Sequence, residues 1–257
     1  MTKRTHANRL THQGSAASVS YIEPRVSSAL AHLPANRQAS DIFVTVDIVI
    51  FTLRDNDLKV LLVKRDTPPF EGRWAIPGGF VQHDESLEDA AARVLYDETG
   101  VRGVHIEQLY TFGRVDRDPR GRMVTVAYFA LVPEPLALHA GKGTSDARWQ
   151  SVYALPEMAF DHAEIVNYAL KRLRYKLEYT AVGFRLLPKK FTLSQLQKAY
   201  ETVLGERLDK RNFRRRILQA QILEETGERL SGEGRPAKLY RYRADAVAEV
   251  KARRLFP

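Results

Sequence analysis

A chain of 257 residues with 44% apolar and 28% charged side chains holds enough apolar material for packed cores, which excludes the disordered, collagen-like and fibrous classes and suits two modest domains. The best candidate for a membrane span, Val44 to Leu53, is short and interrupted by Asp47, polar residues follow Lys3 and Arg4 where a leader peptide would be apolar, and no cysteine is present; a soluble protein with the cytoplasm as default address, no disulfide framework and no Cys-ligated zinc is expected. The net charge of +9 is uneven, +4 over residues 1–38, −4 over 39–155 and +9 over 156–257, the footprint of a nucleic-acid-binding domain beside one with another task, or more plainly of a solvated basic surface.

Residues 1–38 mix Ser, Ala, His, Asn and Gln and read as a flexible tail, with Val26, Leu30 and Leu33 spaced for a helical turn or two. A first domain is expected over 39–156. Its β-branched runs Phe43 to Phe51 and Lys59 to Val63 flank Arg54-Asp55-Asn56-Asp57, a hairpin-like signal, and Ile106 to Phe112 and Thr125 to Val132 predict further strands. Between them Leu87 to Thr99 reads as a helix, with Ser86 and Asp89 spaced as N-cap and N3 and Gly100 as its stop. Gly141 and Gly143 begin a Gly-x-Gly, but Asp146 stands where a dinucleotide fingerprint needs its third glycine, so a loop is expected. Over 157–187 a linking helix and connector follow, with Ile165, Ala169, Leu173 and Leu177 at i, i+4 spacing and His162 at the start in a capping or packing role.

From 188 to 257 the pattern is that of a winged helix-turn-helix. Thr192 and Gln195 form a capping signature ahead of Leu193, Leu196, Tyr200, Val203 and Leu204, and Gly205 ends that helix. Asp209 then caps a basic helix with Phe213, Ile217 and Ala220 on its apolar face. Two strand-like pieces, Gln221 to Thr226 and Lys238 to Arg243, flank Ser231-Gly232-Glu233-Gly234. With Phe213 and Ile217 inward, Arg211, Arg215 and Gln219 point outward and Asn212 and Arg214 lie on the borders, side chains suited to guanine and adenine edges. Arg235, Lys238 and Arg241 on the wing, with Lys189, Lys190 and Lys210, complete a candidate DNA-contacting set. The plainer alternative is a basic helix that packs on the first domain.

The most specific chemical signature runs from Gly79 to Val101. Gly78 and Gly79 precede Glu85 by Gly-x5-Glu, and seven residues later comes Arg93-Val94-Leu95-Tyr96-Asp97-Glu98-Thr99-Gly100-Val101. This resembles the Nudix box, Gly-x5-Glu-x7-Arg-Glu-apolar-x-Glu-Glu-x-Gly-apolar. The glycine turn lets backbone approach a phosphate, and helix carboxylates can converge on Mg²⁺. Val94 replaces one consensus Glu and Asp97 shortens another, so hydrolysis is expected to be absent or residual, with Asp97 and Glu98 left as a weak metal site or a solvated acidic face. Downstream, Tyr110-Thr111-Phe112-Gly113 and Arg117-Asp118-Pro119-Arg120-Gly121-Arg122 look like the matching stretch of ADP-ribose-directed Nudix proteins. Arg117 and Arg120 then become a diphosphate clamp and Phe112 or Trp74 an adenine platform, in a ligand set of Arg73, Trp74, Gly78, Gly79, Phe112, Arg117 and Arg120. The same stretch also reads as a polar hairpin tip with both aromatics in the core.

The order of the two parts, with Phe160-Asp161-His162, Leu187-Pro188, Asn212-Phe213-Arg214 and Gly234-Arg235-Pro236, resembles the Nudix-related transcriptional regulators of NAD metabolism, the NrtR family, over about residues 40–245. The resemblance implies an α+β protein, a Nudix-type α/β/α sandwich with mixed sheet followed by a winged helix-turn-helix. It also implies a dimeric repressor of NAD synthesis or salvage genes on a palindromic double-stranded operator, released by ADP-ribose, with Mg²⁺ compatible but not required and no membrane partner. Two alternatives remain: an active ADP-ribose pyrophosphatase with an accessory basic domain, and a Nudix-type protein that acts on RNA.

Overall fold

The computed structural model describes residues 41–133, 137–179, 185–231 and 236–243. The expectations for the tail 1–38, for Gly232 to Gly234 and for Arg235 lie outside the described residues.

The sheet is built on β1 (Phe43–Arg54), which turns through Asp55 and Asn56, both with positive φ, into antiparallel β2 (Asp57–Arg65). Its other neighbour is β6 (Met123–Val132), parallel to it from Phe43 opposite Met123 to Thr52 opposite Val132. β5 (Glu107–Phe112) closes that side antiparallel to β6. β3 (Trp74–Ala75) and β7 (Thr144–Ser151) pair with β2, and β4 (Gly78–Phe80) pairs with β1, giving a mixed seven-stranded sheet.

Side chains alternate across these strands, so each face collects its own core. One face gathers Val46, Ile48, Ile50, Val126, Tyr128 and Ala130 under Ala90, Ala91, Val94 and Leu95 of α1 (Leu87–Thr99). That helix starts where Ser86 accepts from the Asp89 amide and stops at Gly100, whose φ of 74° is cheap only for glycine. The opposite face gathers Val49, Phe51, Ala127 and Phe129 under α2 (His162–Tyr179), and its Ile165, Ala169, Leu173 and Leu177 are all buried, as their spacing predicts.

The same core continues past α2 into α3 (Leu193–Leu204) through Leu193, Leu196, Tyr200 and Val203, and into α4 (Lys210–Gln219) through Phe213 and Ile217. Thr192 and Gln195 form the expected capping box, Gly205 ends α3 at φ 79°, and Asp209 caps α4 by accepting from Asn212 N at 2.8 Å. β8 (Leu223–Leu230) and β9 (Ala237–Tyr242) make an antiparallel ribbon, tied to the segment before α3 by reciprocal Phe191–Tyr240 amide hydrogen bonds. Residues 41–243 thus hold a three-layer sandwich and a winged helix that share one core.

Candidate functional site

A cleft of about 190 Å³ opens where β1, β2, β4 and the C-terminal end of α1 meet the start of α2. Its lining includes Thr45, Asp47, Arg65, Thr67, Gly78, Gly79, Phe80, Glu98, Arg117, Asp118, Arg120, Thr144, Phe160 and His162. The glycine pair has a steric reason. A Cβ at Gly78 would stand 2.1 Å from Asp47 Oδ1, and one at Gly79 would stand 2.9 Å from Val94 Cγ2. Backbone therefore lies directly on the cleft floor, and Gly78 N–H donates to Glu98 Oε2 at 3.1 Å. Phe160 reaches the cleft from a left-handed backbone, φ 52°, unusual for a bulky residue.

Beneath the floor lies a buried ionic network. Arg117 Nε and Nη2 donate to Asp161 at 3.0 and 2.8 Å, and Nη2 also reaches Asp47 Oδ2 at 3.3 Å. His162 Nδ1 accepts from the Ile76 amide at 3.1 Å, which leaves its proton on Nε2, 3.6 Å from Asp47 Oδ1. Burial lowers the His162 pKa, in keeping with a neutral ring. Burial likewise pushes the Glu98 carboxyl up to about 8, with the nearby Asp47 charge adding to the effect. At neutral pH Glu98 is chiefly a neutral acid.

The expected ligand set is divided by this geometry. Gly78, Gly79 and Arg120 line the cleft. Arg120 is held by Asp118 through two hydrogen bonds of 3.0 and 2.7 Å, with its guanidinium 5.3 Å from the Phe80 ring centroid and 5.5 Å from that of Phe160. Arg117 borders the cleft, but its guanidinium is spent on two buried carboxylates, so a diphosphate clamp on Arg117 would first have to break them. Arg73 pairs with Glu157 at 2.7 Å, Trp74 is covered by Arg148, and Phe112 is buried against Tyr168 and Tyr110; none of the three lines the cleft.

The two helix carboxylates also part company. Adjacent helical residues point about 100° apart. Glu98 lines the cleft, whereas Asp97 lies outside it, 3.7 Å from Arg93. Glu85 is held by two hydrogen bonds from Arg93, which keep its carboxyl down at about 2. Val94 packs in the core below Gly79. Glu98 is thus the one Nudix-box carboxylate among the described residues that lines the cleft, and no described group of three or more His, Asp or Glu could hold a metal ion. These donors do not fit the divalent ion that the consensus box implies.

The ligand set expected from the sequence left out Asp47, Arg65, Thr67, Phe80, Asp118 and Phe160, all of which line the cleft. One signal was available: Asp47 interrupts an otherwise apolar strand, and a charge in a buried strand demands a partner.

On the winged helix, Lys189, Lys190, Lys210, Arg211, Arg215 and Gln219 are exposed and Asn212 and Arg214 half-buried, the two faces that the helical projection requires. Arg215 Nη2 donates to Asn212 Oδ1 at 2.9 Å and Arg214 Nη2 to Ser194 Oγ at 3.0 Å. The wing carries more acid than its charge suggested. Lys238 pairs with Glu225 at 2.9 Å, Arg241 with Glu224 at 2.8 Å and Lys190 with Glu228 at 2.5 Å. Neutralising Glu224 and Glu225 as glutamines is expected to tighten DNA binding and steepen its salt dependence, because two cations are released for phosphate; equal salt slopes for variant and wild type would show that these cations face no phosphate.

A Nudix sandwich sharing its core with a winged helix defines a two-part class of protein, and comparison with known proteins agrees. The NUDIX domain model matches residues 44–169, and the model of the NrtR DNA-binding winged helix domain matches residues 183–242. The ADPR responsive transcriptional repressor NtrR of Acinetobacter baylyi is 39% identical over 203 residues, covering 77% of this chain and 81% of that protein. NrtR of Shewanella oneidensis, crystallised with a 27mer DNA, is 40% identical and superimposes with a TM-score of 0.70 over 83% of this chain and 99% of that one. The NUDIX domain of the same protein, crystallised with ADP ribose, is 40% identical with a TM-score of 0.50 over 58% and 98%. The chain belongs to the NrtR family.

Proposed function

We propose that this protein is a transcriptional repressor that binds palindromic double-stranded operator DNA as a homodimer through α4 and is released when ADP-ribose fills the Nudix cleft. The regulated genes, from the family resemblance, are those of NAD synthesis or salvage. One observation carries the reading: the apolar core under the cleft runs without a break through α2 into the winged helix, so the two sites share a mechanical frame. Solved relatives holding DNA and ADP ribose support the two ligands. In the cleft, Gly78 and Gly79 offer close backbone approach and Arg120 a cation for the diphosphate. Phe80 and Phe160 offer aromatic faces. These aromatics replace Trp74 and Phe112 as the candidate stacking platform.

On DNA, Arg211→Ala and Arg215→Ala are each expected to cost roughly 1–3 kcal/mol of binding and to relax sequence preference. Unchanged affinity in both variants would move the readout off α4.

The Nudix domain acts here as a sensor with impaired hydrolysis. Val94 lies in the core, Asp97 lies outside the cleft, and Glu98 stands there without a second Nudix-box carboxylate among the described residues. Product release from ADP-ribose with Mg²⁺ or Mn²⁺ is expected to stay below about 1 s⁻¹, the lower edge of ordinary enzyme turnover, and faster release would favour a pyrophosphatase. The decisive test of the sensor reading is reciprocity. Calorimetric affinity for ADP-ribose should fall in the presence of saturating DNA by the same factor by which ADP-ribose weakens DNA binding, and equal ligand affinity with and without DNA would eliminate it.

A further inference from the structure

The C-terminal end of α3 ends on groups from the other domain. A helix leaves its last four carbonyls without partners and carries partial negative charge there. In α3 Gly205 N–H satisfies Glu201 O, and the last turn has no basic residue of its own. Thr202 O accepts from the Tyr153 hydroxyl at 2.6 Å, Val203 O accepts from the same hydroxyl at 3.3 Å, and Arg174 Nε donates to Val203 O at 2.9 Å. Tyr153 lies in the turn after β7, and Arg174 lies on α2, three turns beyond His162. No Cβ intrudes at Gly205, where it would stand 3.6 Å from Arg174 Nη2.

The other end of α2 is fastened to the cleft. Asp161, whose backbone oxygen accepts from Glu164 and Ile165 in the first turn, holds Arg117, and His162 holds the Ile76 amide. The helix of 18 residues, about 27 Å long, therefore meets the cleft floor at its start and the carboxyl end of α3 near its finish.

We propose that Tyr153 and Arg174 are positioning residues which, by capping α3 from the Nudix domain, fix the winged helix on α2 and carry cleft occupancy to the DNA-binding surface. Neither residue lines the cleft, and neither lies on α4. A merely structural contact would lower stability and leave the coupling between the sites unchanged. A transmitting contact lowers the coupling and leaves the affinity for ligand alone.

The inference rests on the sensor reading, and its experiment separates the two. The full chain and its Tyr153→Phe/Arg174→Met variant are titrated with DNA selected by the wild-type protein from a random pool, with and without ADP-ribose, and with ADP-ribose alone. The variant should bind ADP-ribose within about twofold of wild type, while the factor by which ADP-ribose weakens DNA binding drops from the typical 5- to 150-fold range to below about twofold. Arg174→Lys, which keeps a cation at the helix end, should retain part of the factor. Should the double variant fail to fold, Tyr153→Phe alone, which removes one hydroxyl, should show a reduced factor. A factor equal to wild type in a folded variant overturns the proposal, whereas a wild type whose DNA binding ignores ADP-ribose overturns the sensor reading itself.

Discussion

Replacing Arg117 with alanine is expected to destabilise the fold by about 3–5 kcal/mol, because it strands two buried carboxylates that now share one guanidinium. Asp47 lies at the centre of β1 and Asp161 at the entry to α2, and the side chains of all three residues are almost completely withdrawn from solvent. Removing the cation leaves Asp47 with the neutral His162 ring 3.6 Å away and no guanidinium from Arg117, and loosens α2 at the end that abuts the cleft. Urea denaturation of the wild type and variant gives the comparison directly. A loss below about 1 kcal/mol, as for an exposed arginine, would mean the pair is accessible to water and restore Arg117 as a ligand clamp. Arg120→Ala is the contrasting case with a smaller expected loss, since the Arg120 side chain is more than one-third exposed and its removal strands one buried carboxylate, Asp118, rather than two.

The second large effect is on pH dependence. Glu98 has a folded pKa of about 8 against an ordinary 4.5, so the folded chain binds this proton more tightly than the unfolded chain. The contribution is therefore complete below about pH 4.5, declines by roughly 1.4 kcal/mol per pH unit above it, and is lost as pH passes about 8. Glutamine preserves the acceptor for Gly78 N–H without a charge. Glu98→Gln should match wild type near pH 4 and exceed its stability by roughly 3–5 kcal/mol near pH 8.5. Parallel stability curves across that range would place Glu98 in water rather than half-buried at the cleft, hydrogen-bonded to Gly78.

Much of the scaffold was legible because its signals are local. Ser86 with Asp89, Thr192 with Gln195, and Gly100 and Gly205 mark helix ends within four residues of the groups they satisfy, and the apolar spacing of α2 names its buried face. Strand β7 was not legible, since Thr-Ser-Asp-Ala-Arg-Trp-Gln-Ser has no apolar alternation and takes its place by pairing with β2. β3 and β4, of two and three residues, are too short to show a period.

The site was read less well for a related reason. Arg117 stands in an arginine-rich stretch that looks phosphate-directed, but its partners lie 70 residues before it and 44 after it, and only the sheet brings them together. Trp74 and Phe112 read as stacking platforms by type, while the aromatics that line the cleft, Phe80 and Phe160, sit beside glycine and aspartate where no periodicity marks them. On the wing, charge counting gave Lys238 and Arg241 without the glutamates of β8 that pair with them, because cross-strand pairing is absent from a linear count.

Fluorescence anisotropy of labelled DNA selected by this protein, titrated at fixed salt with and without ADP-ribose, measures whether ADP-ribose in the Nudix cleft sets the repressor's hold on DNA. Specific binding should weaken by about 5- to 150-fold with ADP-ribose, and should not change with an equal concentration of a sugar lacking the diphosphate. Identical binding curves with and without ADP-ribose would rule out ADP-ribose as the releasing ligand.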